Sequence, residues 1–200
     1  MYRMFVVPDG KSGEKGAQMM IDLGDAMARE AIAFLDLGKQ DRVIEIGFGP
    51  GIGLETLAKT TSQGTVVGID PSELMHQLAS ERNKDSIASG KITLIKGTVQ
   101  NLPFDDDYFN GAVAMDNMHF WSEPLSGLIE LKRVLLPGSN LVCSFTPHSG
   151  GNIHGWEKRF ETAGYVDFKI FETSRGICIV AKVPGVSVLT RAEEKNHYSV

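Results

Sequence analysis

Across residues 17–37 apolar side chains recur at helical spacing, Met20, Leu23, Met27, Ile32, Phe34 and Leu35 among them. That period marks an amphipathic helix. Gly24 interrupts it near the middle, so two short helices are expected, the second ended by Gly38. Residues 1–16 are rich in glycine and lysine after Val7 and are expected to be loose. From residue 42 the rhythm changes to short strand-like runs, the first β-branched and closed by glycine. RVIEIG (42–47), TVVGID (65–70), KITLIKG (91–97), NGAVAMD (110–116) and NLVCSF (140–145) read as strands. Between them, residues 52–60, 71–89 and 123–135 read as helices, the second with Pro71 in its first turn. In the third, Leu125, Leu128, Ile129 and Leu135 are expected on one apolar side, and PGS then turns the chain into the next strand. A short helix at 156–164 and two strands, 165–172 and 176–183, complete the pattern, and the polar link TSR between the strands predicts an antiparallel hairpin.

Strand and helix thus alternate through most of the chain. This predicts an α/β fold, a mostly parallel sheet with helices on both faces. Three regions are expected: an N-terminal helical cap region at 1–37, a main domain at 38–183 and a polar tail at 184–200. In such sheets ligands bind beyond the carboxyl ends of the strands, so the residues just after each strand are the candidates for chemistry.

Composition narrows the classes. With 200 residues, 42% of them hydrophobic, the chain can bury one core of good size. A formal net charge of −5 gives no overall reason to expect nucleic acid or an anionic membrane as partner. Cys143 and Cys178 both lie in apolar strand-like runs and read as reduced core thiols. The apolar start of the chain is broken by Pro8 and Asp9, too short for a signal peptide or a membrane span, and a cytoplasmic location is the default expectation.

The first strand runs into VIEIGFGPGIG, with glycine at 47, 49, 51 and 53 behind Glu45. Glycines between a strand and a helix let a ligand lie against the backbone and meet free N–H groups. A plain tight turn needs only one or two. The dinucleotide pattern G-x-G-x-x-G fails in both registers, because Ile52 or Leu54 occupies its sixth position, and no phosphate-binding G-x-x-x-x-G-K-[ST] is present. Asp70 ends the second strand nineteen residues beyond Gly51. A carboxylate at that distance suits ribose hydroxyls, although DPSE would also serve as a helix cap.

These segments, together with GTVQNLPFDDDYFNGAVAMDNMHFW, ELKRVLLPGSNLV and ETAGYVDFKI, resemble in order and spacing the class I S-adenosylmethionine-dependent methyltransferases, in particular the small-molecule and quinone-type subfamily. The resemblance covers about residues 40–183. It implies a Rossmann-like seven-stranded sheet of order 3-2-1-4-5-7-6 with only strand 7 antiparallel. It implies a methyltransferase that uses S-adenosyl-L-methionine, releases S-adenosyl-L-homocysteine and acts on a small-molecule acceptor. Gly47, Phe48, Gly49 and Gly51 would lie under the methionine part of the cofactor and Glu45 near its amino group. Asp70 would hold the ribose hydroxyls, Pro71 and Met75 would touch the adenine or ribose, and Thr98, Val99 and Gln100 would flank the adenine. Asp116, Asn117 and Met118 would line the methionine end and the methyl group. Thr98 stands where the family often has an aspartate toward the adenine amino group, so the backbone of Val99 and Gln100 would carry that contact. Asn110 replaces a common aspartate, with a local effect only.

Methyl transfer from a sulfonium needs alignment and exclusion of water, and some enzymes add a general base. In DNMHFW, His119 is the residue with a base's intrinsic pKa, and its alternative is a loop packing role. Phe120 and Trp121 are either an acceptor wall or an anchor for the next helix. His148 and His154 flank a Gly-rich stretch without a third ligand nearby, so no metal is expected. Only about ten residues, Thr146 to Gly155, are available as a cap after the fifth strand, so the cap is expected mostly from residues 10–37, whose Met19, Met20 and Met27 form either an adaptable lid or a packing stripe. A short cap fits a small or partly apolar acceptor, or a pocket completed by a second copy of the chain in a homodimer. The alternatives to the enzyme are a non-catalytic S-adenosylmethionine-binding regulatory protein and, less favoured by the glycine spacing, a nicotinamide-dependent reductase.

Overall fold

The computed structural model describes residues 2–185. The expected tail, from residue 186 on, lies outside the described residues. In chain order the elements are α1 (Gly10–Ala33), β1 (Arg42–Ile46), α2 (Ile52–Thr60), β2 (Thr65–Asp70), α3 (Glu73–Arg82), α4 (Lys84–Ala88), β3 (Ile92–Lys96), β4 (Phe109–Met115), α5 (Pro124–Val134), β5 (Leu135–Phe145), α6 (Trp156–Ala163), β6 (Val166–Thr173) and β7 (Gly176–Lys182), with a π-helical turn at Tyr2–Val6 ahead of them. The seven strands form one sheet of order β3-β2-β1-β4-β5-β7-β6. All neighbours pair parallel except β7, which runs antiparallel to both β5 and β6. This is the Rossmann-like methyltransferase architecture that the resemblance implies.

Side-chain alternation sorts the central strands between two cores. Ile44, Ile46, Ala112, Ala114, Leu141 and Cys143 pack with Leu128, Leu131 and Phe160 of α5 and α6 on one face. Val43, Val66, Val113, Val142 and Cys178 pack with residues of α1, α2 and α3 on the other. Both faces are covered, so these strands read as continuous apolar runs. Cys143 and Cys178 are free, buried thiols on opposite faces of the sheet, and burial raises both above the ordinary thiol range, Cys178 to about 11.

Several local expectations are corrected. Residues 10–16 are helical, and Gly24 does not break α1, which runs unbroken for 24 residues. The reason is tertiary: a Cβ at Gly24 would come within 3.0 Å of Ile52 Cδ1, so the glycine lets α1 lie close on α2 at a helix-propensity cost of about 1 kcal/mol. Gly38 does not end the helix; it sits in the following turn, donating from its N–H to Asp41 Oδ2 at 2.7 Å. The 71–89 segment is two helices, with Pro71 outside the first and Ser72 as its N-cap. On α5 the buried stripe is Gly127, Leu128, Leu131 and Val134, while Leu125 and Ile129 are 38% and 48% exposed, because they stand about 60° and 100° round the helix from Leu128, on the side away from the rest of the stripe. β5 also starts earlier than expected: Leu135 already pairs with Phe109, and PGS bulges within the strand, with Gly138 at φ +86°.

Candidate functional site

The parallel strands deliver their carboxyl ends in one row: Lys96, Asp70, Ile46, Met115 and Phe145 close β3, β2, β1, β4 and β5. Beyond that row lies a cavity of about 540 Å³. Its floor is the turn after β1, where Gly47, Gly49 and Gly51 all have positive φ, +67°, +52° and +84°. The glycines do different work. A Cβ on Gly47 would meet Asn117 Nδ2 at 2.6 Å, one on Gly51 would meet Asn83 Nδ2 at 2.6 Å, and one on Gly53 would collide with Glu45 Oε1. Those three are bare because protein side chains press on them. At Gly49 the nearest atom would be Met20 Sδ at 3.4 Å, so here the bare backbone faces the cavity. The turn is held from behind by α3: Asn83 Nδ2 donates to Gly51 O at 3.0 Å and Arg82 Nε to Pro50 O at 3.1 Å.

Asp70 ties β2 to that turn. Its Oδ2 accepts from Gly49 N at 3.1 Å and its Oδ1 from Ser72 N at 2.8 Å. The sequence's two roles for it, ligand and cap, are thus combined: the carboxylate organises the start of α3 and still lines the cavity. Burial raises its pKa, opposed by the Ser72 and Gly49 N–H groups and by His76. Ser72 also donates from Oγ to Pro8 O at 2.7 Å, which pins the N-terminal segment over the cavity.

Glu45 stands under the turn, 1% exposed, with Oε2 buried and without a partner. Burial, reinforced by the Asp70 charge, holds its pKa well above the usual carboxylate range. A buried, unpaired carboxyl next to an open main-chain cradle is a site prepared for a ligand cation.

At the end of β4, Asp116 adopts φ +53° and turns both carboxylate oxygens to Thr146: Oδ1 accepts from its N–H and Oδ2 from its hydroxyl, each at 2.6 Å. Asn117 is just as fully engaged. Its Nδ2 donates to Ile46 O at 2.7 Å and Met115 O at 2.9 Å, and its Oδ1 accepts from Trp121 Nε1 at 3.0 Å. These two side chains therefore shape the cavity by holding its walls.

Of the residues expected from the sequence, Glu45, Gly47, Phe48, Gly49, Asp70, Pro71, Met75, Thr98, Val99, Gln100, Asp116, Asn117, Phe120 and Trp121 come together around the cavity. Gly51, Met118 and His119 are not in its lining. Gly51 closes the turn against α3, and Met118 is 1% exposed within the core under α5. His119 packs on Phe120 with ring centroids 3.9 Å apart, and its Nε2 donates to Ser149 O at 3.0 Å. The carbonyl acceptor puts the proton on Nε2, leaving Nδ1 buried without a partner. Burial also lowers its pKa, which favours this neutral, structural ring.

The cap differs from the expectation as well. Met19, Met20 and Met27 of α1 do face the cavity, but Phe5, Val6, Val7 and Pro8 join them, and His148, Ser149 and Gly150 close the β5 side. DPSE is the sequence signal for Ser72; nothing local announces that its hydroxyl reaches back 64 residues to Pro8. Among the described residues no group of three or more His, Cys, Asp or Glu could hold a metal, and no helix is long and apolar enough to cross a membrane.

A family model described as a methyltransferase domain matches residues 44–143. The chain is 26% identical over 162 residues to the uncharacterized methyltransferase YdaC of Bacillus subtilis, covering 75% of this chain and 87% of that one. It is 33% identical over 115 residues to the ubiquinone/menaquinone biosynthesis C-methyltransferase UbiE of a Geobacter species, covering 57% of this chain and 49% of that one, so it spans about half of that relative. Among solved structures, a SAM-dependent methyltransferase from Aquifex aeolicus superposes with a TM-score of 0.69 at 24% identity, covering 82% of this chain and 92% of that one, a likeness of fold.

Proposed function

The chain belongs to the methyltransferase-domain family and is an S-adenosylmethionine-dependent methyltransferase; from that premise we propose that it transfers the methyl group to a small molecule by in-line displacement. The observation that carries this reading is the continuous cavity of about 540 Å³ that joins the glycine turn and Asp70 to an apolar wall containing Phe120 and Trp121. The residues present fit the cofactor. Gly49 offers a cradle that a side chain would narrow, and the orphaned Glu45 carboxyl awaits a cation. Asp70, beside the carboxyl end of β1, would accept hydrogen bonds from the ribose, Thr98, Val99 and Gln100 would flank the adenine, and Glu45 would face the amino group. When bound, S-adenosylmethionine supplies a sulfonium-activated methyl group. The chain's part is to orient the acceptor and exclude water, and α1, the Phe5–Pro8 segment and the loop at 148–150 cover the cavity for this purpose.

The test is transfer of label from methyl-tritiated S-adenosylmethionine to a cell extract. Label should appear in the low-molecular-weight, organic-extractable fraction; label confined to protein or nucleic acid would overturn the small-molecule reading.

Glu45→Gln separates affinity from stability. The folded state holds the Glu45 proton more tightly than the unfolded chain does, so the stability linked to it is present below the unfolded pKa and lost as pH rises through the folded one. Glutamine cannot ionise and escapes that loss. The free variant should therefore melt above wild type at pH 8, with the gap closing toward pH 5, while its affinity for S-adenosylmethionine falls about tenfold, a change of ~1.4 kcal/mol. Thermal scans across pH and calorimetric titration read the two effects, and parallel melting curves at every pH would contradict the first.

A further inference from the structure

The row of strand ends orders the cavity. Adjacent strands stand about 4.8 Å apart, so the groups after β3 and β2 are separated from those after β5 by three to four strand spacings. On the methyl-transfer reading, on which this inference rests, adenosine lies over β3 and β2 and the methionine end over β1 and β4. The acceptor must then approach from the β4–β5 side. That side carries Phe120 from the β4 loop and His148 from the β5 loop, and Met19 and Leu23 of α1, 45% and 48% exposed, also line the cavity.

The chemistry of these groups is selective. The acidic residues of the lining are Glu45, Asp70 and Asp116, and none is free to meet an acceptor on this side. Glu45 is buried under the turn, Asp70 accepts from two main-chain N–H groups, and Asp116 accepts twice from Thr146. α1 and the Phe5–Pro8 segment present apolar side chains to the cavity, and the lining contains no Lys or Arg among the described residues. An anionic acceptor would meet Asp116 and apolar walls. An uncharged aromatic one would meet aromatic and thioether surfaces that suit it. Within this lining His148 is exposed, whereas the ring of His119 is committed to Ser149 O and lies outside it. A neutral hydroxyl attacks poorly until its proton has somewhere to go, and imidazole has the basicity for that near neutrality.

We propose that His148 is the general base for methylation of a hydroxyl on an uncharged, largely apolar aromatic acceptor. The hydroxyl proton passes to the His148 ring as the new O–CH₃ bond forms. The S–CH₃ bond breaks, sulfur keeps its electron pair as a neutral thioether, and the exposed imidazolium returns its proton to solvent.

The experiment uses the full chain, methyl-labelled S-adenosylmethionine and two probes, 1-naphthol and 1-naphthoate, with wild type and His148→Gln. Because His148 is an exposed loop residue, the variant should fold and bind S-adenosylmethionine as wild type does in a calorimeter. Naphthol should bind the protein loaded with S-adenosylhomocysteine, read by calorimetry, at least tenfold more tightly than naphthoate, and label should move to its oxygen. His148→Gln should lower kcat on naphthol about 100-fold or more at pH 7 with KM within threefold. It should also remove the acid limb of the kcat profile, and its deficit should shrink at high pH as naphthol ionises unaided. Equal binding of the two probes, binding of naphthol without methylation, or a variant that keeps kcat within threefold and the acid limb would each overturn the proposal while leaving the methyltransferase reading intact. Failure of wild type to bind S-adenosylmethionine at all would overturn both.

Discussion

Asp70→Ala is expected to weaken S-adenosylmethionine binding by about 100-fold, equivalent to ~3 kcal/mol, the worth of one or two hydrogen bonds to a charged group. Two losses combine. The carboxylate that would receive the ribose hydroxyls disappears, and Gly49 N and Ser72 N lose the acceptor that fixes the turn against the start of α3. Folding stability should change much less, because the same substitution removes a carboxyl whose burial already disfavours its charge. A ligand control isolates the ribose contribution. Wild type should bind the 2′,3′-dideoxy analogue of the cofactor more weakly than the natural one by the ribose share of that loss, and the variant should barely distinguish the two. If calorimetry gives the variant wild-type affinity, or if the variant still discriminates against the dideoxy analogue, Asp70 does not hold the ribose.

Most of the sheet is readable from the chain because each central strand carries a short apolar run covered on both faces, and each crossover helix has its own apolar period. The TSR link gives away the hairpin that makes β7 antiparallel, and the structure turns at Ser174 and Arg175, within it. The unreadable part depends on contacts between distant segments. Gly24 looks like a break because its helix propensity is poor, and only the proximity of Ile52 explains why the helix continues through it. Leu125 and Ile129 look inward-facing because they share a spacing with Leu128, but the sheet selects the neighbouring stripe. The site divides in the same way. Residues of the glycine turn and the strand ends can be placed, since the topology alone brings them to one crevice. The direction of a ring within a loop cannot: DNMHFW locates His119 beside the cavity in sequence, while the Ser149 carbonyl and the Phe120 ring decide that it turns aside. The covering segment Phe5–Pro8 is invisible for a related reason, since its anchor is a serine on the far side of the first two strands in sequence.

Asn117 joins both halves of the cavity, and its replacement by aspartate should show how much that junction carries. The amide's two N–H groups satisfy Ile46 O and Met115 O, and its oxygen receives the Trp121 indole. Ile46 immediately precedes the glycine turn, so one side chain fixes the height of the cofactor floor and the tilt of the acceptor wall. Aspartate keeps the acceptor for Trp121 but sets its second oxygen between two carbonyl oxygens, exchanging two attractions for two repulsions. A stability loss of about 3 kcal/mol at pH 7 is expected. The loss must depend on pH in a defined direction. Facing two carbonyls, the introduced carboxyl ionises less readily in the folded state than in the unfolded chain. Its protonated form can donate one of the lost bonds, so the stability it supports is present below the unfolded value, near about 3.9, and disappears as pH rises through the folded one. Urea unfolding should accordingly find the variant closer to wild type at pH 5 than at pH 7. Asn117→Ala, which removes the attractions without adding repulsion, should cost less than Asn117→Asp at pH 7 and by the same amount at both pH values. If the aspartate variant unfolds at the wild-type urea midpoint at pH 7, the two carbonyls are satisfied in some other way and Asn117 does not couple the turn to the wall.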